Sequence, residues 1–161
     1  MDKFNKRTYS SFSEFLKDIK FLIKNHGQIK DLNRGELISK KMQERLMLAV
    51  TAVNGCRYCT YYHTKLALEN GVTTEELDTL LNGSVDSSPS EEKLALLYAQ
   101  HWADQAGKPD QEFKEKINET YGNQKAEVIN LAIRTINFGN LMGNTFDYLL
   151  YKLSFGHLGA S

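Results

Sequence analysis

A chain of 161 residues that is 41% hydrophobic and 25% charged has the composition of an ordinary folded domain, and at that length it buries about two-thirds of its unfolded surface without staples. Its 20 basic residues balance its 20 acidic ones. No Lys/Arg stripe is interleaved with aromatics, so the electrostatic footprint of a nucleic-acid binder is missing. The opening MDKFNKRTYSSF has no apolar run leading to a small-residue cleavage site, and the longest apolar-rich run, Leu46 to Val53, is too short to cross a bilayer. A cytoplasmic protein with no nucleic-acid and no membrane partner is expected.

Two prolines and apolar residues recurring at helical spacing predict an all-α fold of six to seven helices, with no sheet, in a single domain over residues 1–161. The first helix starts at the capping box Ser11-Phe12-Ser13-Glu14, carries the stripe Phe12, Phe15, Leu16, Ile19, Leu22 and Ile23, and stops at His26-Gly27. A second runs from about Arg34 to Val53, where Asn54-Gly55 breaks it. The third begins near Cys56, with that residue in its first turn, and ends at Asn70-Gly71.

A short fourth helix follows the box Thr73-Thr74-Glu75-Glu76 and stops at Asn82-Gly83, before a polar loop from Ser84 to Ser90. Ser88-Pro89 supplies a cap and a first-turn proline for a fifth helix, Glu91 to Ala106, which Gly107-Lys108-Pro109 closes. Asp110 caps a sixth that ends at Tyr121-Gly122, and the last helical stretch runs from about Gln124 to Leu153. Its Gly139 and Gly143 suggest close helix packing or a kink; no strand precedes them, so they do not form a phosphate loop.

The chemistry concentrates in Asn54-Gly55-Cys56-Arg57-Tyr58-Cys59-Thr60-Tyr61-Tyr62-His63. On a helix, positions 56, 59 and 63 fall within roughly 60° of one another and share a face. Unpaired N–H groups and the positive dipole end favour a thiolate at Cys56, while Cys59 sits one turn from His63. Two thiols three residues apart also suit a reversible disulfide. If the second and third helices form an antiparallel hairpin, Glu44 comes level with His63 and can orient its imidazole as a base; alternatively Glu44 is a solvated surface residue.

Other readings of these side chains stay open. The cysteines can be two small buried hydrophobes, or Cys56, Cys59 and His63 can supply three zinc ligands with Glu44 as a fourth, although no second Cys/His pair forms the usual second knuckle. A non-redox enzyme acting on a cyclic acid or lactone would use His63 and Glu44 as acid and base. The thioredoxin fold is excluded, because its CxxC follows a strand in a βαβ pattern. His26, His101 and His157 read as structural or solvated, and Trp102, Tyr61 and Tyr62 as core or subunit-interface aromatics.

Glu44, then eleven residues, then Cys56-x-x-Cys59-x-x-x-His63 on a helix after an Asn-Gly break resembles the alkylhydroperoxidase AhpD-like branch of the carboxymuconolactone decarboxylase superfamily. The resemblance centres on residues of about 40 to 81, including the ending Leu66-Ala67-Leu68-Glu69-Asn70-Gly71-Val72, and extends loosely to the stretch from Ile136-Asn137 to Phe146-Asp147. It implies a helical bundle with the CxxC at the start of a central helix, assembled as a homo-oligomer (trimer or hexamer). The implied activity is that of a thiol peroxidase or disulfide reductase, with no cofactor, fed by a thiol electron donor. It also implies roles: Cys59 attacks the peroxide, Cys56 resolves, and Glu44 and His63 relay the proton. The best-known members carry histidine immediately before the second cysteine; here Tyr58 stands there, and a phenol of pKa about 10 does not replace an imidazole base near pH 7. Cysteines are generally absent from the decarboxylase branch. For the attacking sulfur, the helix dipole favours Cys56, whereas the contact with His63 and the resemblance favour Cys59, which is the assignment adopted.

Overall fold

The computed structural model describes residues 4–32 and 34–159. They form α1 (Phe12–Lys24), α2 (His26–Leu32), α3 (Lys40–Asn54), α4 (Arg57–Glu69), α5 (Thr74–Leu81), α6 (Ser90–Asp104) and α7 (Gln111–Leu153), with no strand among the described residues. The all-α expectation holds.

α3 is the central element. Ser39 caps it by accepting the Met42 N–H, and every residue from Met42 to Thr51 is buried. It is surrounded by α4, α5, α6 and α7. On one side Leu46, Ala49 and Val50 pack into the main core with Leu96 of α6 and Ile133 of α7; on another, Leu48 joins a smaller cluster with Ala67, Val72 and Leu77. A helix buried all round leaves its polar residues no solvent, so each needs a partner. Arg45 finds two: its guanidinium reaches Glu76 at 2.9 Å and Glu92 at 3.1 Å, tying α3 to α5 and α6. The Arg45 contact helps hold Glu76 below the ordinary carboxylate range against burial, whereas at Glu92 burial wins and pushes the carboxyl up.

Several boundaries differ from the sequence expectation. The first helix ends at Lys24, because both the backbone N–H and the side-chain amide of Asn25 turn back onto the Phe21 carbonyl; Gly27 then lies inside α2 instead of stopping α1. The α1 stripe is largely uncovered, with Phe12 72% and Ile23 71% exposed, although Phe15 stacks on Phe138 of α7 at 6.2 Å. The second predicted helix starts at Lys40, not Arg34, after a left-handed Gly35. Pro89 occupies the cap position of α6, with Ser90 as the first helical residue. The Asp110 carboxylate makes no capping bond and instead lies 3.2 Å from His101. Gly122 breaks α7 at φ 73, ψ 158 where the sequence placed a helix end, and the helix runs on through Gly139 and Gly143.

Removing the Arg45 side chain strands two carboxylates at the centre of the bundle. Arg45→Leu is expected to lower stability by about 2 to 4 kcal/mol in chemical denaturation, and adding Glu92→Gln should recover part of that loss. An unchanged unfolding midpoint for Arg45→Leu would show that the triad holds nothing together.

Candidate active site

The α3–α4 turn builds the site. Gly55 ends α3 at φ 68, with its N–H bonded to the Thr51 carbonyl at 2.8 Å. Cys56 follows in an extended conformation and is the N-cap of α4, one position before the first turn where the sequence placed it. Its side chain does a cap's work: the sulfur accepts the Cys59 N–H at 3.3 Å. It is fully buried, whereas Cys59 is half-buried, and both thiols are free.

This arrangement separates the two sulfurs electrostatically. The Cys59 thiol donates to Cys56, and the backbone N–H groups of Cys59 and Tyr58 add to it; against burial and the negative Asp147, these bring the Cys56 thiol down to about 7. Cys59 moves the other way. Its proton is held by Cys56 and burial adds to the cost of charge, with the Asn140 side chain pulling in the opposite direction, so its pKa is raised well above the ordinary thiol range. Cys56 is therefore the sulfur that ionises first, with the Cys59 thiol bonded to it, and the two titrate as a unit.

Glu44 and His63 meet as the hairpin argument expects. Glu44 Oε2 lies 2.7 Å from His63 Nδ1, and the carboxylate is 4% exposed, so the solvated reading of Glu44 is overturned. The carboxylate fixes Nδ1 as the protonated nitrogen, which leaves Nε2 to exchange protons with the adjoining cavity. That cavity, of about 570 Å³, is lined by Cys59, His63, Glu44 and Tyr58, with Met47 and Ile136 among its apolar walls. Among the described residues, no three His, Cys, Asp or Glu side chains are grouped to hold a metal ion, so the zinc arrangement weighed from the sequence is not assembled. Tyr61 and Tyr62 lie exposed on α4 and are not core residues; Tyr62 meets the His63 ring edge-on at 5.1 Å. Trp102 is a core residue, as expected.

Three features escaped the sequence reading. Asp147 of α7, its side chain wholly buried, accepts from Arg57 and Tyr58 at 2.8 Å each and from Lys6 at 3.0 Å. Burial alone would raise its pKa, but these three donors outweigh it and hold the carboxyl below its usual range. Tyr58, the residue where a histidine was noted as usual, thus has its hydroxyl committed to Asp147. Second, Gly143 faces Cys56: a Cβ there would sit 2.8 Å from the sulfur and 3.3 Å from the Tyr58 ring, so the glycine that suggested packing makes room for the thiol. Third, Asn54, Asn137, Asn140 and Asn144 are buried together behind the cysteines. The available signal was polar residues recurring at 137, 140, 144 and 147, on the face of α7 that also carries Ile133, Ile136 and Leu141.

An all-α protein with a vicinal dithiol at a helix N-cap and a Glu–His pair across the same hairpin is the class that fold and site define. Residues 27–100 match the model of the carboxymuconolactone decarboxylase family. The match takes in Glu44, Cys56, Cys59 and His63, whereas the α7 residues that back them lie outside it. Comparison with curated proteins and with solved structures gives no match.

The depressed Cys56 thiol gives a pH signature. In the reduced protein about one thiolate per chain is expected to appear in ultraviolet absorbance with a midpoint near pH 7. It should be lost as pH falls below that point, while the second thiol stays protonated beyond the ordinary range. Two thiols titrating together at about 8.5 would show that the S–H to sulfur contact does not exist in solution.

Proposed function

We propose that this protein is a thiol-dependent peroxidase or disulfide reductase in which Cys59 attacks and Cys56 resolves. The observation that carries the reading is the placement of the two sulfurs: Cys59 borders the cavity next to the buried Glu44–His63 pair, while Cys56 is sealed behind it and already bonded to it.

The chemistry balances with these groups alone on the oxidising half. Cys59 gives up its proton to His63 Nε2, and its sulfur attacks the terminal oxygen of a hydroperoxide. The O–O bond breaks, Cys59 becomes a sulfenic acid, and the alkoxide leaves as the alcohol with the proton returned by His63. Cys56, as the thiolate, then attacks the Cys59 sulfur and closes the disulfide, and the expelled hydroxide takes a proton from solvent and leaves as water; a thiol donor supplies the two electrons that reopen it. With a disulfide substrate, the same Cys59 thiolate forms a mixed disulfide that Cys56 resolves. Glu44 holds the imidazole in the tautomer that accepts at Nε2. Tyr58, bonded to Asp147, has no proton-transfer role in this scheme.

We also read residues 1–161 as one domain that works as a homo-oligomer. Met142, Phe146, Leu149 and Leu153 leave an exposed apolar stripe along α7, of the kind that marks an interaction surface. Light scattering at the mass of a single chain across a wide concentration range would rule this out.

Single-turnover oxidation tests the roles. Cys59→Ser is expected to consume no peroxide. Cys56→Ser should consume about one equivalent and stall as a sulfenic acid on Cys59, visible by mass spectrometry, where the parent forms an intramolecular disulfide. His63→Ala should slow the first step more than Glu44→Gln, since the carboxylate acts through the ring. If Cys59→Ser still reacts once while Cys56→Ser is inert, the roles are inverted and the helix N-terminus selects the nucleophile.

A further inference from the structure

A second cavity, of about 660 Å³, opens between α1, α2, the segment that leads into α3, and α7, and it shares no lining residue with the cavity beside Cys59. That volume is in the range of small-molecule sites. Leu32, Ile38 and Leu131 are buried in its wall, whereas Asp31, Glu36 and Glu127 stand exposed at its edge. An apolar floor is thus ringed by negative charge.

Arg134 of α7 is the one cation among the described residues that line it. Its guanidinium carbon lies 3.4 Å from the centroid of the Phe21 ring, which borders the same cavity. Each of the chain's other four arginines meets a carboxylate: Arg7 meets Glu14, Arg34 meets Asp31, Arg45 meets Glu76 and Glu92, and Arg57 meets Asp147. Arg134 is half-buried and has no ion pair or hydrogen bond among the described residues. Burial lowers its pKa, with the charge of Asp18 opposing. The contact with Phe21 helps hold α1 to α7, but it uses the face of the guanidinium and leaves the N–H edges unspent. Those edges form a planar fork that matches a carboxylate.

We propose that this cavity binds a small organic monocarboxylate with an apolar body, its carboxylate paired with the Arg134 guanidinium and its body set against Leu32, Ile38 and Leu131. The three carboxylates at the edge set the charge limit. They outnumber the single cation, so a dianion such as phosphate or a dicarboxylate is repelled where a monoanion is not. The site stands apart from the dithiol, and nothing in it depends on which sulfur attacks.

The test uses 3-phenylpropionate as the probe, titrated into the full chain and followed by the amide and methyl resonances of the protein. Saturable shifts centred on Leu32, Ile38 and Leu131 are expected. Two other probes separate charge from body: 3-phenylpropanol has the body without the charge, and inorganic phosphate has charge without the body. Each should bind about tenfold more weakly or worse, the loss expected of one charge-assisted contact. Arg134→Gln should weaken 3-phenylpropionate by about the same factor, whereas Lys40→Gln, which removes the ammonium at the Cys59 cavity, should change it less than about twofold. Equal binding of the alcohol, shifts centred on the Cys59 cavity, or no saturable shift overturns the proposal. Should Arg134→Gln fail to fold, the comparison of the three probes on the parent protein decides. Peroxide enters none of these measurements, so loss of the peroxidase reading leaves this site standing and loss of this site leaves that reading untouched.

Discussion

Gly55 takes a left-handed conformation, φ 68, and that one backbone geometry ends α3, reverses the chain and delivers Cys56 to the N-cap of α4. A residue with a Cβ would hold it at a cost of about 1 kcal/mol or more, and a shift of the turn would move every group the site uses. Thr51 anchors the turn through its carbonyl and Asn54 through its amide. The turn then sets the hairpin register, which brings Glu44 opposite His63. From the other side α7 closes against it only because Gly143 leaves space for the Cys56 sulfur. The dithiol is thus held between a turn that must be left-handed and a helix that must be bare at one position.

Central burial of α3 explains why adjacent charged residues serve different ends. Glu44 and Arg45 are both buried, and one helix step sends them to different partners. Arg45 is matched by two carboxylates from α5 and α6, fixing the bundle around α3. Glu44 meets the His63 imidazole instead. The contact holds the ring in one orientation, with Nδ1 turned to the carboxylate. The Arg45 contacts and the 2.7 Å Glu44–His63 contact thus start from adjacent residues of one helix.

Much of this was legible from residue patterns. The capping box at Thr73 and Glu76 forms as written, the stops at Gly55 and Gly122 fall where glycine predicted them, and reflection through Asn54-Gly55 found the Glu44–His63 contact. These are local rules or one-step consequences of a tight turn. What was not legible depends on α7. Asp147, Asn140 and Gly143 act on residues some ninety positions earlier in the chain, and no spacing rule reaches that far. Asn25 outcompeted Gly27 as the end of α1 because its amide and N–H both return to one carbonyl, a choice that propensity alone does not rank. The helical face of the motif was read correctly, but Cys56 was placed one residue too far in, and a cap sulfur has a bond to a backbone N–H that a first-turn side chain lacks.

That one-residue difference reconciles the two arguments about the nucleophile. The dipole argument asks which sulfur ionises first, and the cap position favours Cys56. Accessibility asks which sulfur borders open space, and of the two it is Cys59 that lines the cavity. The two are linked by the hydrogen bond in which Cys59 donates to Cys56, so their titrations are coupled. If Cys56 resolves, as proposed, its low pKa readies it for the second step, because its sulfur already lies against the one it would attack. In that order of events the low pKa of Cys56 serves resolution, and the attack depends on whatever stabilises charge on Cys59 for the moment it exists.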